Sequence, residues 1–321
     1  MNFAAAALTA NAPAEPAAAA HPPIAAASLE AWMRERQEHF EALAMRSLPA
    51  ASREPQRLHQ AMRYAVLDGG KRIRPLLAYA AGELACAEQG ALDAVALALE
   101  YVHAYSLVHD DMPCMDDDVL RRGKPTVHVA FDEATAMLAG DALQAEAFRV
   151  LAEAPLPAAA RLELVQALAR ASGTEGMCGG QAFDIDALGL TLDAEQVERM
   201  HRMKTGALLR AAVLMGARAA RLDAGLAAAL EDYAEAVGLA FQIVDDILDV
   251  ESNAAELGKT VGKDQAQNKS TYVSVLGMAA AKQRAAQLRE RAHAALDATG
   301  LEAARTLRLR QLADLIVTRR N

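Results

Sequence analysis

Five aspartates fall within nine residues of one stretch, Asp110 to Asp118, directly after the apolar run Tyr105-Ser106-Leu107-Val108. Buried carboxylates without partners are costly, so a counter-charge is expected. A hard divalent cation suits such a cluster, because it takes oxygen ligands and leaves positions open for phosphate. Asp110 and Asp116 would lie about 120° apart on a straight helix. Pro113 breaks or bends the helix between them, and only such a distorted turn brings both to one metal group.

A second acidic cluster lies downstream, in the apolar stretch Phe241 to Asp249. Asp245 and Asp249 are four residues apart and share one helix face, with Asp246 at its edge. A basic segment follows each cluster, at 120–124 and at 258–263. One acidic cluster alone is as often a solvated helix end as a metal site. Two clusters within apolar helix indicate Mg2+ ions that hold a diphosphate between them.

Three weaker patterns accompany the clusters. Residues 69–75 form a Gly-rich turn with three cations, suited to phosphate at a helix start, although an ordinary exposed basic loop is as common. Lys204-Thr205-Gly206 interrupts an amphipathic helix, and the glycines of Gly179-Gly180-Gln181-Ala182-Phe183-Asp184 indicate close backbone approach. His103 and His109 have no role that the sequence alone assigns, because a lone helical histidine is usually a core residue.

The elements that must carry these residues are helices. Of the 321 residues 53% are hydrophobic and only 4% aromatic, and strong helix formers dominate without the alternation typical of strands. The fold class is therefore all-α. The net charge of -9 argues against nucleic acid as a partner. No apolar run reaches the roughly 18 residues of a membrane span, and the N-terminus lacks the features of a signal or transit peptide. Three cysteines without metal-type spacing fit a reducing cytoplasm.

Residues 1–27 consist of Ala and Pro with almost no charge, which predicts a disordered tail. Ser28 is a plausible N-cap for the first helix. Helical patterns then fill the chain, with one helix from about Ala91 to Met112 and a kink at Gly140. No connection is linker-like, so residues 28–321 are predicted to form a single domain.

Taken together, the motifs identify a family. The order Asp-Asp-x-x-x-x-Asp with Leu-Arg-Arg-Gly, Gly-Gln-x-x-Asp, Lys-Thr-Gly and Phe-Gln-x-x-Asp-Asp-Ile-Leu-Asp resembles the trans-polyprenyl diphosphate synthases, most of all the bacterial farnesyl diphosphate synthases. The likeness covers about residues 30–321. It implies a helical bundle of the isoprenoid synthase type around a deep central cavity, and a homodimer in the cytoplasm.

The resemblance also implies roles for individual residues. Two Mg2+ ions would bind at Asp110, Asp111 and Asp116, and a third at Asp245 with Asp246 and Asp249, with Mn2+ able to substitute. The allylic diphosphate would contact Arg121, Lys204, Thr205, Gln242 and Lys259. The diphosphate of isopentenyl diphosphate would contact Lys71, Arg74, His103 and Arg122. Asp110, Asp111, Asp116, Lys204 and Asp245 would form the catalytic set. Arg319-Arg320 are similar to a basic tail that folds over the site in the family.

The implied reaction is Mg-dependent condensation of isopentenyl diphosphate with dimethylallyl and then geranyl diphosphate to give farnesyl diphosphate. In the family an aromatic residue five before the first Asp is the floor of a cavity sized for C15, which here is Tyr105, followed by the small Ser106. The alternative is that Tyr105 is an ordinary core residue that packs between helices. A geranylgeranyl diphosphate synthase, a non-catalytic partner subunit and a class I terpene cyclase are the other functions considered.

Overall fold

The computed structural model describes residues 28–67, 69–220, 222–251 and 270–319. Within these ranges the secondary structure is helical apart from one hairpin, whose two strands have two residues each. The helices are α1 (Leu29–Ser47), α2 (Gln56–Val66), α3 (Ile73–Leu84), α4 (Gln89–Asp110), α5 (Val127–Ala130), α6 (Glu133–Ala152), α7 (Ala158–Ser172), α8 (Met177–Asp186), α9 (Ala194–His201), α10 (Ala207–Arg218), α11 (Ala224–Glu251), α12 (Tyr272–Leu276), α13 (Met278–Asp297) and α14 (Ala303–Thr318). The prediction of an all-α fold is confirmed.

Local signals in the sequence set the ends of several helices. Ser28 caps α1 by accepting a hydrogen bond from the amide of Ala31, as the sequence predicts. The two strands β1 (Leu120–Arg121) and β2 (Lys124–Pro125) pair antiparallel around Arg122 and Gly123. Both turn residues have positive φ, at 53° and 74°, which is the requirement of a two-residue hairpin turn. The hairpin thereby projects Arg121 and Arg122 beside the first acidic cluster.

The interior is a layer of apolar helices that are rich in Ala, Leu and Val. α4 packs along α6, α10 packs against α3, and α11 packs against α13. α3, α4, α10 and the middle of α11 are buried on most of their surface, so they form the core. Small residues on these helices let the backbones approach closely, which explains how a core with few aromatics is filled.

α4 is the central helix of the acidic site. Among the described residues it is the one helix long and apolar enough to cross a membrane, which differs from the expectation that no apolar run reaches that length. Of its most apolar window, 72% is buried inside the protein. Its apolar character is thus that of a core helix. The expected tail, residues 1–27, lies outside the described residues.

Candidate active site

The first acidic cluster lies where α4 ends. The helix stops at Asp110, two residues earlier than the sequence pattern suggested, and the chain then folds back. The amide of Asp116 donates to the carbonyl of Asp110 at 2.8 Å, and the amide of Asp118 donates to that of Asp111 at 3.1 Å. Asp117 takes a left-handed conformation with φ of 52°. The predicted distortion after Asp110 is confirmed, and it brings Asp116 next to Asp110.

Burial and mutual repulsion govern the charge of this cluster. Burial raises the pKa of Asp110 to about 6, with Lys204 opposing the rise and Asp116 adding to it. Asp111 is only 3% exposed, and its burial likewise raises its pKa against the effect of Arg121. The Nε of Arg121 lies 2.8 Å from both carboxylate oxygens of Asp111, and one Nη lies 2.5 Å from Oδ1. Arg121 therefore neutralises Asp111 in this structure.

The second cluster lies in the last third of α11, and its acids point in different directions. Asp246 is 3% exposed and accepts hydrogen bonds from Gln242 Nε2 at 2.9 Å and from the amide of Tyr272 at 2.8 Å. Asp245 is partly exposed and accepts from Arg319 at 2.8 Å. Asp249 is also partly exposed. Asp245 and Asp249 therefore point away from the hydrophobic core. Asp246 points into it and links α11 to the start of α12 through its hydrogen bond with Tyr272.

Arg319 reaches the second cluster from the far end of the chain. Its guanidinium donates to the carbonyl of Phe241 and to Asp245, both at 2.8 Å, and lies 3.9 Å above the Phe241 ring. This contact places Arg319 beside Asp245. Arg320 lies outside the described residues, as does Lys259.

Lys204 and Thr205 are presented by a π-helical turn. Residues Arg202–Gly206 form this turn between α9 and α10, and such turns recur at functional sites. Lys204 Nζ donates to Asp184 at 2.6 Å, and Thr205 Oγ1 donates to Gln242 Oε1 at 2.7 Å. The turn thus joins the two halves of the site. The charge of Lys204 lowers the pKa of Asp110 in the first cluster, and Thr205 is hydrogen-bonded to Gln242 beside the second.

Gly180 allows this turn to come close to α8. A Cβ at this position would lie 2.2 Å from the amide nitrogen of Lys204, so the expectation of close backbone approach is confirmed. Because α8 and the π-helical turn are this close, Asp184, one turn after Gly180 on α8, lies beside Lys204. Asp184 was missing from the predicted site residues, although the acid of the Gly-Gln-x-x-Asp pattern was the signal that could have identified it.

A separate basic cluster surrounds the start of α3. The Nε of Arg74 is buried and has no hydrogen-bond partner. Burial and the neighbouring charges of Arg74 and Arg122 hold the pKa of His103 well below its usual range, so this imidazole is neutral. Arg122 donates to the carbonyl of Gly69 at 2.9 Å from the turn of the hairpin, and Lys71 is exposed nearby. This geometry suits an anionic ligand.

Arg72, the third cation of residues 69–75, has another role. Arg72 is 4% exposed and donates to Glu41, to Glu100 at 2.7 Å and to the carbonyl of Val66. It therefore stabilises the packing of α1, α2 and α4 beneath the cluster. Arg74 also interacts electrostatically with Asp245, which places the basic cluster and the second acidic cluster on the same side of the bundle.

The predicted chain-length residues lie on α4. Tyr105 is 8% exposed, and Ser106 is partly buried with its hydroxyl donating to the carbonyl of His103 at 2.9 Å. The ring of Tyr105 is therefore inside the bundle, one to two turns before Asp110. This position fits both readings of the residue, a cavity floor and a core side chain.

The donor set of the acidic clusters is all carboxylate oxygen, which is the chemistry that Mg2+ prefers. In the parts of the chain that the structure describes, no three His, Cys, Asp or Glu side chains converge tightly enough to hold an ion. Arg121 on Asp111 and Arg319 on Asp245 provide the counter-charge instead. The residues fit a divalent cation by type, and in this structure Arg121 and Arg319 donate to oxygens of Asp111 and Asp245.

Comparisons with known proteins match this arrangement. Residues 55–304 match the family model described as polyprenyl synthetase. The chain is 50% identical over 265 residues to the farnesyl diphosphate synthase of Escherichia coli, covering 81% of this chain and 88% of that protein. A geranylgeranyl pyrophosphate synthase of Capsicum annuum is 44% identical over 275 residues, covering 84% of this chain and 73% of that protein.

A solved structure gives the same result for the fold. The crystal structure of an FPP/GFPP synthase from Zymomonas mobilis superposes with a TM-score of 0.81 at 41% identity. The match covers 90% of this chain and 99% of that chain. The similarity to known proteins therefore covers most of the chain, both in sequence and in fold.

Proposed function

The chain belongs to the polyprenyl synthetase family, and we propose that within it the chain is a prenyltransferase that makes (2E,6E)-farnesyl diphosphate. It condenses isopentenyl diphosphate first with dimethylallyl diphosphate and then with geranyl diphosphate. The greater identity to a farnesyl than to a geranylgeranyl diphosphate synthase supports the C15 product. The other features of this proposal are a homodimer and a cytoplasmic location.

One structural observation carries the proposal: the site contains an acidic part and a separate basic part. The basic part contains a neutral His103 and the buried Nε of Arg74, which has no hydrogen-bond partner, and Arg74 interacts electrostatically with Asp245 of the acidic part. Guanidinium and imidazole N–H groups are donors suited to a diphosphate. A class I terpene cyclase needs only one diphosphate site, so the basic cluster favours a two-substrate enzyme. A non-catalytic partner subunit is disfavoured because both acidic motifs are intact.

Asp110, Asp111 and Asp116 would hold two Mg2+ ions, and Asp245 with Asp249 would hold a third. Asp246, implied by the resemblance as a further ligand, instead accepts hydrogen bonds from Gln242 and Tyr272 with its two oxygens. When bound, these ions neutralise the charge that develops on the leaving diphosphate. Mn2+ would substitute, since its oxygen-ligand preference is similar. The raised pKa of Asp110 supports this assignment, because a divalent cation stabilises the ionised carboxylate that burial disfavours.

The chain's own residues divide the reaction between two subsites. On the allylic side Arg121, Lys204, Thr205, Gln242 and Lys259 bind the departing diphosphate while the C–O bond breaks. On the other side Lys71, Arg74, His103 and Arg122 hold isopentenyl diphosphate, so that its alkene meets the allylic cation. Loss of one proton, to the departed diphosphate, completes the addition. Apolar residues of α4 next to the site, such as Val108 at 3% exposure, exclude water that would trap the cation.

The experiment that tests this function is product analysis. The purified chain is incubated with labelled isopentenyl diphosphate, dimethylallyl diphosphate and Mg2+, and the dephosphorylated products are separated by chromatography. The expected product is C15, with no product when EDTA removes the metal. C20 as the main product would establish the geranylgeranyl alternative. Absence of any elongation from folded protein would contradict the function altogether.

Product length has its own test in Tyr105→Ala. If the ring is the floor of the cavity, truncation should open space for a longer chain and shift the product towards C20 with activity retained. A side chain that only packs in the core should instead lower the stability by about 3–5 kcal/mol and leave the product at C15. Tyr105→Phe is the matched control, since it keeps the ring and should keep C15.

A further inference from the structure

The ring of Tyr105 is fixed by a second helix. α4 and α6 pack along each other, and their facing residues are in antiparallel register. Burial raises the pKa of Tyr105 and Gln144 on α6 opposes the rise, while His109 lies against Gly140. A step of four residues forward on α4 thus matches a step of four residues back on α6. The wall around Tyr105 is therefore built from both helices.

His109 is the link between them. Its Nε2 lies 3.0 Å from the carbonyl oxygen of Met137 on α6. A carbonyl can only accept, so Nε2 carries the proton and donates. The ring of His109 meets the ring of Tyr105 edge-on, with centroids 5.9 Å apart and an interplanar angle of 70°. Edge-to-face pairs of this geometry are favourable and directional.

Gly140 provides the space that this contact needs. A Cβ at this position would lie 2.0 Å from His109 Nε2, 2.5 Å from Cδ2 and 2.7 Å from Cε1. Any side chain larger than hydrogen would displace the imidazole or push α6 away from α4. Gly140 lies within α6, which runs from Glu133 to Ala152.

We propose that His109 and Gly140 are positioning residues that hold the Tyr105 ring in place and so help to set the length of the prenyl product. This inference rests on the proposed function and extends it from one residue on α4 to a contact between two helices. Without His109 the ring of Tyr105 loses its edge contact on one side and can turn aside for a longer chain.

The experiment compares the C20 to C15 product ratio of His109→Ala, Gly140→Ala and the double variant with that of the unmodified chain. Because a pocket change of about one methylene discriminates by roughly 10- to 200-fold, each single variant should raise the ratio by about tenfold or more. In the double variant the new methyl group occupies the space that the imidazole has left. Its ratio should therefore equal that of His109→Ala alone.

Gly82→Ala is the matched control. A Cβ at Gly82 on α3 would lie 2.1 Å from Leu92 Cδ2 on α4, a comparable overlap about 20 Å from Tyr105 along the helix. This variant should change stability and leave the product ratio unchanged. The ratio is the informative readout, because a purely structural role of His109 or Gly140 would lower the rates of both products together.

The outcomes separate this inference from the function itself. An unmodified chain that makes no C15 refutes the function. If it makes C15 and the ratio is unchanged in His109→Ala and Gly140→Ala, only the inference is refuted. A Tyr105→Ala enzyme that still makes C15 alone refutes it too, because there is then no floor to hold. Should Gly82→Ala shift the ratio as much as Gly140→Ala, the effect comes from general loosening of α4 and the proposal also fails.

Discussion

The two acidic clusters share one local pattern and yet differ in how the fold uses them. The first follows the end of a helix, so the chain can turn and bring Asp116 back to Asp110. The second lies inside the 28-residue helix α11, where neighbouring residues point about 100° apart. Asp246 is therefore directed inward and Asp245 outward. A helix end gathers acids, whereas a helix interior distributes them over different faces.

Both clusters are balanced by an arginine, and the origin of that arginine also differs. Arg121 lies ten residues beyond Asp111, on the hairpin that follows directly. Arg319 lies 74 residues beyond Asp245 and comes from the end of α14. The first balance is local, while the second depends on the packing of the C-terminal helix. The predictions that follow test this difference, from the largest expected effect to the smallest.

The largest effect on turnover is expected when an acid proposed to bind metal is removed from either cluster. Asp110→Ala and Asp245→Ala should each lower turnover by at least about 100-fold, the scale seen when one preorganised electrostatic group is removed. Asp117→Asn is the control, because Asp117 is exposed in the same loop and asparagine tolerates its left-handed backbone. The measurement is kcat at saturating Mg2+, with circular dichroism to confirm the fold. Near-normal turnover of either alanine variant would contradict the metal role of that residue.

A pH effect is expected from the first cluster. Asp110 has a pKa of about 6 in the folded chain against an ordinary 3.8, so the folded state binds more protons between these values. The metal-free protein should lose up to about 3 kcal/mol of stability as pH rises from about 4 to above 6. Urea unfolding in EDTA across this range, compared with Asp110→Asn, isolates the contribution. The asparagine variant should lack it, and equal pH dependence in both proteins would contradict the assignment.

The third prediction separates Asp246 from its neighbour. In Asp246→Asn a new NH2 group faces either the amide of Tyr272 or Nε2 of Gln242, so one buried donor loses its acceptor. This should cost about 1–3 kcal/mol of stability. The Mg2+ concentration for half-maximal activity should change little, whereas Asp245→Asn should raise it strongly and leave thermal stability nearly intact. The reverse pattern would return Asp246 to the metal-binding role that the resemblance implied.

The smallest effect is expected for Arg319→Ala. Asp245 is partly exposed, so the ion pair itself should contribute only about 0.2–1 kcal/mol of stability, and the contacts of Arg319 with Phe241 add to this. Because Arg319 competes with a cation for Asp245, its removal should lower the Mg2+ concentration for half-maximal activity. Arg310→Ala is a control, since Arg310 pairs with Asp297 on α13 and belongs to neither acidic cluster. A higher Mg2+ requirement in Arg319→Ala would contradict the competition.

The helical class, the two acidic motifs, the family and the N-cap at Ser28 could all be predicted from the order of the amino acids. The N-cap and each acidic motif depend on residues that lie close together in sequence, the helical class follows from composition, and the family follows from the order of several such motifs. The distorted turn at Pro113 belongs to the same group, because proline removes a backbone donor wherever it stands.

The partners of the charged residues, in contrast, could be assigned only from the folded chain. Among the three cations near Gly70, Arg72 turns inward to Glu100 and Arg74 remains without a partner at Nε. Asp184 bonds to Lys204, and His109 fits onto Gly140. Each of these contacts joins two elements that are separate in sequence. Their formation depends on the register and depth of helix packing, which is set by all the side chains between two helices rather than by any one motif.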